Sequence, residues 1–330
     1  MSSQNPETKG PTVACLGEIL IDFISEKTGT LDSVESFRKC LGGAPANVAV
    51  GIARLGLSCG FIGKVGLDPF GEFLIHSLKL NGVDTGGISR TKNAPTALAF
   101  VSRSETGDRE FLFYRNPCAD TLLTEEDLPL NWLREIQFLH IGGVSLTAEP
   151  SRSATFRAVK LARESGATIS FDPNLRLDLW TENLTQCRRI MHQLLAQSDL
   201  FLPSQEELML LMGTEDLEEA LRRAHDQGPK IICLKRGSEG SLISEQVAEK
   251  EYRRFIQPPF DVGVIDTTGA GDGFNAGLIV GLASGLSLPQ AVKQGTAIAS
   301  LVITKIGAIT ALPTEKELTH FLGKYMDKSD

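Results

Sequence analysis

The chain has 330 residues, enough for one large α/β domain or two unequal ones around a sizeable buried core. Hydrophobic residues make up 42%, a share that argues against wholesale disorder and against a membrane-embedded chain. With 33 basic and 41 acidic side chains the formal charge is -8, so there is no general field for nucleic acid or anionic lipid, and a phosphate-bearing partner needs a local site.

Residues 1–11, MSSQNPETKGP, read as a polar tail without a secretory signal. The spacing predicts a buried strand over 12–16, then a second extended piece through Phe23 that carries carboxylates, Asp22 among them, outward. GGAPAN leads into the helical pattern VAVGIARLG, with Gly56 as its C-cap. A strand over 59–63 and a helix over 70–80 follow. ALAFVS and REFLFYR are strand-like runs split by the polar turn ETGDR, the mark of an antiparallel hairpin. Together with the piece after Gly17 they predict a small sheet standing off the body, a candidate lid of segments about 18–38 and 95–116.

Alternation then resumes: strand 136–141, helix 151–164, strand 167–171, helix 183–195, strand 199–202, helices 205–212 and 215–226, strand 230–234. A hairpin-like stretch covers 240–256, a glycine-rich turn 266–273, and two long apolar helices, 273–284 and 288–302, close the chain. Repeated strand–helix pairs on short loops predict an α/β fold over 12–330, a mainly parallel sheet flanked by helices on both faces. The six cysteines are scattered, without metal-ligand spacing, which suits reduced thiols and a cytoplasmic protein. No run of about 18 uncharged apolar residues is present to span a membrane.

The chemistry concentrates in DTTGAGDGF, residues 266–274. Small residues ahead of a helix let N–H groups converge on an anion, and the helix N-terminus adds partial positive charge, so a phosphoryl group fits there. Asp272 stands where it can take a proton from a sugar hydroxyl attacking phosphorus in line; read more plainly, it is the acid of a helix start. Gly42 and Gly43 admit a ligand close to the backbone and Asn47 can bond hydroxyls, although the same letters describe a turn before a helix. Asp22 can bind vicinal hydroxyls or simply be solvated.

Taken together these segments resemble the PfkB, or ribokinase-like, family of carbohydrate kinases, and within it the fructokinases. Both family signatures stand in order, the glycine pair of GGAPANVAVGIARLG and DTTGAGDGFNAG, and GEILIDF, GDREFLFYRNPCAD and FDPNLR extend the likeness over about 12–312. The resemblance implies Asp272 as catalytic base, Gly269, Ala270 and Gly271 as anion hole, and Arg176 near the transferring phosphate. It places Asp22, Gly42, Gly43 and Asn47 on the sugar hydroxyls, with the lid residues Phe113, Tyr114 and Arg115 beside the sugar. Lys235 and Gly237 would adjoin the ATP phosphates, and Ala297 and Ser300 the adenine.

The implied cofactors are ATP and Mg²⁺, the ion helped through water by Glu207, although Ser204 replaces the asparagine of the family's Asn-x-x-Glu motif. A K⁺ site is further implied at Asp266 and Thr268 with backbone near Val302, Lys305 and Gly307. The activity so implied is transfer from ATP to the 6-hydroxyl of D-fructose, giving fructose 6-phosphate and ADP. Two other readings stay open: a 2-keto-3-deoxygluconate kinase, if Arg115 and a second cation read a carboxylate, and a non-catalytic sugar-binding regulator. A homodimer through the lid is the implied assembly, with no nucleic-acid or membrane partner.

Overall fold

The computed structural model describes residues 10–103, 109–115, 117–180 and 184–326. Strand β1 (Val13–Leu16) lies inside the larger sheet with both faces covered: Val13 and Cys15 join one apolar core, Ala14 and Leu16 the other. After Gly17 the chain leaves for β2 (Leu20–Ser25) and β3 (Phe37–Gly42), and returns through α1 (Ala44–Arg54), β4 (Cys59–Gly66), α2 (Pro69–Leu80) and β5 (Asp84–Thr91). It leaves again for β6 (Leu98–Arg103) and β7 (Arg109–Tyr114).

The alternating half follows as α3 (Leu130–Leu133), β8 (Phe138–Gly142), α4 (Ser151–Glu164), β9 (Thr168–Asp172), α5 (Leu184–Leu195), β10 (Leu200–Phe201), α6 (Gln205–Met212), α7 (Leu217–His225) and β11 (Ile231–Lys235). A hairpin, β12 (Ser241–Ala248) and β13 (Glu251–Gln257), precedes α8 (Ala270–Ala283), α9 (Leu288–Val302), α10 (Ala308–Ala311) and α11 (Glu315–Met326).

The larger sheet runs β13-β12-β11-β10-β9-β8-β1-β4-β5 and is parallel except for the β12–β13 edge. This is the α/β ribokinase-like arrangement, and the smaller sheet, β3-β2-β6-β7, stands beside it. Its first segment runs on to Gly42, past residue 38, because β3 pairs with the whole of β2 from Leu20↔Gly42 to Ser25↔Phe37. The turn ETGDR at its other end falls largely outside the described residues. Two strands and three helices go beyond the sequence expectations. β3 reads FRKCLG and β5 reads DTGGISRT, polar segments suited to edge positions, while α3 and α10 are single turns and α11 adds a third long closing helix.

Two glycine contacts set the helix that carries Asp272. A side chain at Gly51 of α1 would put its Cβ 2.7 Å from that of Ala276, so α1 and α8 touch through their small residues. On the other side of α8, a Cβ at Gly277 would lie 2.8 Å from Gly295 Cα of α9. Gly277→Val must therefore part the two helices, and a loss of about 1–3 kcal/mol is expected as a lower midpoint of thermal unfolding. An unchanged midpoint would contradict this packing.

Candidate active site

Two cavities meet at the start of α8. One, of about 280 Å³, lies between the smaller sheet and the strand ends of the larger one, and Asp22, Gly43, Asn47, Phe113, Arg176 and Asp272 line it. The other, of about 620 Å³, lies between the turn after β11 and the α8–α9 pair, walled by Gly237, Phe260, Val264, Phe274, Thr296 and Ser300. Lys235, Thr267 and Gly271 belong to both. The helix begins at Ala270 rather than at 273, so Gly271 and Asp272 fall in its first turn. Gly269 makes this possible: its φ is 77°, and a Cβ there would come within 2.7 Å of Ala308. No side chain caps this helix, although Ala270 N–H turns back to Thr267 O at 3.3 Å.

Asp272 is buried and its Oδ2 accepts from Asn47 Nδ2 at 2.8 Å. Burial pushes its carboxyl up to about 6, against the Asn47 bond and the charges of Lys235 and Arg176, while Asp172 adds to the rise. Asp22 is pushed up to about 7 by burial, with Arg176 opposing and Asp272 reinforcing. Glu18 also lines the smaller cavity and is pushed to about 7 by burial, its Oε1 accepting from Ala44 N–H at 3.0 Å. Nearby, Arg115 donates to Asp120 Oδ2 at 2.6 Å and to Thr147 Oγ1 at 2.8 Å. Burial works against its charge, and Asp120 foremost holds its pKa above the ordinary value.

At the junction, Lys235 Nζ stands 2.6 Å from Asp172 Oδ2. Behind the start of α8, Asp266 Oδ1 accepts from Thr268 N–H at 3.0 Å and Thr268 Oγ1 at 2.6 Å, and Asp266 Oδ2 from Gly307 N–H at 2.8 Å. Among the described residues no cluster of three or more His, Cys, Asp or Glu is placed to hold a metal by itself, and no helix is long and apolar enough to cross a membrane.

A model of the pfkB family carbohydrate kinases matches residues 11–315. The chain belongs to this family. It is 41% identical over 330 residues to the probable fructokinase-6, chloroplastic, of Arabidopsis thaliana, covering 97% of this chain and 84% of that protein. A putative Ribokinase II from E. coli in complex with ATP and Mg²⁺ matches its structure with a TM-score of 0.86 at 31% identity, covering 95% of this chain and 99% of that one. A double mutant of fructokinase from Vibrio cholerae O395, with fructose, ADP and potassium ion bound, matches with a TM-score of 0.84 at 33% identity over 96% of this chain and all of that one. The activity is accordingly that of a PfkB sugar kinase.

Within this PfkB kinase the structure brings Asp22, Gly43, Asn47, Phe113, Arg176, Gly269, Gly271 and Asp272 to one cavity, and Lys235, Gly237 and Ser300 to the other. Several residues sit elsewhere than expected. Tyr114 points away from the smaller cavity, exposed and edge-on to Phe100 at 5.7 Å, because successive strand residues face opposite ways. Phe111, which the sequence reading passed over, shares the cavity face with Phe113 and stacks on it at 5.9 Å. Gly42 lines neither cavity; a Cβ there would lie 2.1 Å from Asp22 Oδ2, so this glycine makes room for the acid.

Arg115 reaches the cavity with its charge already matched by Asp120. Ala297 faces the core, the turn of α9 presenting Thr296, Ala299 and Ser300 instead. Glu207 closes a capping box with Ser204, its Oε2 accepting Ser204 N–H at 2.8 Å and its Oε1 accepting Leu175 N–H at 2.7 Å, so both oxygens serve the backbone. Val302 O accepts from Lys305 N–H at 3.2 Å, and Lys305 Nζ turns to Glu317 at 3.3 Å.

The raised carboxyls fix the expected pH dependence. With Asp272 as the proposed base, which must be ionised to take a proton, kcat/KM is expected to fall as the pH drops through about 6, where its carboxyl gains a proton. Asn47→Ala removes a bond that favours ionised Asp272, and the midpoint of the acid limb moves to higher pH. A pH–rate series in which the variant keeps the wild-type midpoint would show that this bond does not tune Asp272.

Proposed function

We propose that the chain transfers the γ-phosphoryl group of ATP to the 6-hydroxyl of D-fructose, giving fructose 6-phosphate and ADP. The observation that carries this reading is the shared wall: Gly271 and Lys235 line both cavities, and Asp272 stands on the acceptor side of it. A hydroxyl in one cavity and a triphosphate in the other then meet across the first turn of α8. The nucleotide cavity suits ATP, pairing the apolar surfaces of Phe260, Val264 and Ile303 with a helix N-terminus and an ammonium where phosphates would lie.

Asp272 takes the hydroxyl proton as the sugar oxygen bonds to phosphorus and the bond to the ADP oxygen breaks. Gly269, Gly271 and Arg176 line the wall where charge would spread over the transferring group. Mg²⁺, when bound with the nucleotide, offsets the negative charge of the phosphates. It would be held chiefly by phosphate oxygens and water, since among the described residues no three His, Cys, Asp or Glu are placed to hold a metal by themselves. K⁺ is placed by this reading at the Asp266 loop, whose carboxylate already ties Thr268 to Gly307 behind the anion hole. Phe111 and Phe113 on the lid cover the sugar, and a covered site wastes less ATP on water.

A neutral sugar is favoured over a keto-acid by the charges on the wall. Glu18 and Asp22 are acids, and the guanidinium of Arg115 is already paired with Asp120, so a substrate carboxylate would meet few uncommitted cations. The test is ADP production with Mg-ATP against fructose, 2-keto-3-deoxygluconate, glucose, mannose, ribose and adenosine at matched concentrations. Fructose is expected to give the highest kcat/KM, and a higher value for the keto-acid would overturn the acceptor while keeping the base. Asp272→Asn is expected to lower kcat by about 10³-fold with fructose binding still measurable by calorimetry, and near-normal turnover would show the base to be wrongly assigned.

A further inference from the structure

Asp172, at the end of β9, is buried and holds three hydrogen bonds. Its Oδ2 accepts from Lys235 Nζ at 2.6 Å and from Asn275 Nδ2 at 2.6 Å, and its Oδ1 from Asn174 N–H at 3.1 Å. One carboxylate thus ties the end of β11 to α8 just beyond Asp272. Lys235 lines both cavities, and a Cβ built on Gly271 would lie 3.6 Å from its Nζ, so the ammonium lies alongside the start of α8. An ammonium carries three N–H donors, and the bond to Asp172 uses one.

We propose that Asp172 is a positioning residue for phosphoryl transfer, holding the Lys235 ammonium at the wall between the cavities, where Lys235 contacts the transferring phosphoryl group as a catalytic residue. This deepens the kinase reading above and rests on it. A lysine tail that had to find the phosphoryl group would lose its rotamer freedom during the reaction, whereas a tail fixed beforehand meets the developing charge at no such cost. Burial works against the charge on Lys235, and Asp172 leads the groups that sustain it, ahead of Glu207 and Asp272. Buried His140 bonds Ser170 Oγ at 3.0 Å; its charge interaction with Asp172 ranks behind that of Lys235, and burial pushes the imidazole itself down to about 4.

The test compares Asp172→Asn, Lys235→Gln and the double variant in the full chain, on whichever sugar the wild type phosphorylates fastest. Each single change is expected to lower kcat by about 10²-fold, with KM for ATP and for sugar moving less than about 3-fold. The double variant should fall less than about 3-fold below the weaker single, because the two residues act as one unit. Losses that multiply to about 10⁴-fold would show Asp172 acting apart from Lys235 and would overturn the proposal. So would a raised KM for ATP with kcat kept, which makes Lys235 a ground-state ligand.

Should Asp172→Asn not fold, chemical rescue of Lys235→Ala decides the matter, since Asp172 is intact there. Added ethylammonium is expected to recover at least about 10-fold in kcat, and no recovery overturns the proposal. Turnover on no sugar at all would defeat the kinase reading and this proposal with it, an outcome distinct from multiplying losses.

Discussion

A carboxylate in the first turn of a helix is normally favoured in its ionised form by the helix dipole. Asp272 departs from that rule because burial outweighs the dipole and lifts its carboxyl to about 6. The rest of the site follows from keeping this acid buried yet reachable. It needs α8 to start between two cavities with no capping side chain in the way, which the αL glycine at 269 and the small residues after it permit. It needs Asn47 as a donor to its carboxylate, and α1 brings that donor by packing on α8 through Gly51 and Ala276.

Charge is arranged unevenly around that point. In the smaller cavity, Glu18, Asp22 and Asp272 are all lifted toward neutrality by burial, which suits partners made of hydroxyls rather than anions. At the junction the balance is opposite in purpose: Lys235 is held charged by Asp172, and the α8 start adds its dipole. The smaller sheet walls that cavity with the paired rings of Phe111 and Phe113. One chain thus presents a poor anion site and a good one within a single wall.

Much of this was legible in the letters. The strand–helix alternation fixed the parallel sheet because each element carries its own periodicity, and the helix of 151–164 is found with the same bounds. The glycine-rich run before α8 was legible because phosphate-binding turns depend on local residue size. What escaped depends on pairing across the chain. β3 and β5 are polar edge strands whose partners, β2 and β4, define them. Phe111 lines the cavity where the sequence implied Tyr114, since an alternating run does not say which face is covered until its register with β6 is known. Ala297 fell to the same kind of ambiguity on a helix. Asp172 stood in plain view in FDPNLR, yet only the meeting of β9, β11 and α8 shows that it pairs with Lys235 and Asn275.

In the proposed reaction, acceptor and donor meet across the first turn of α8 with Asp272 between them. The most direct measurement is a crystal structure of the chain with fructose, Mg²⁺ and a non-hydrolysable ATP analogue. The sugar's 6-hydroxyl oxygen is expected within about 3 Å of the Asp272 carboxylate and the terminal phosphate against Gly271 and Lys235. A sugar whose 6-hydroxyl turns away from Asp272, or a triphosphate that ends elsewhere than this turn, would contradict it.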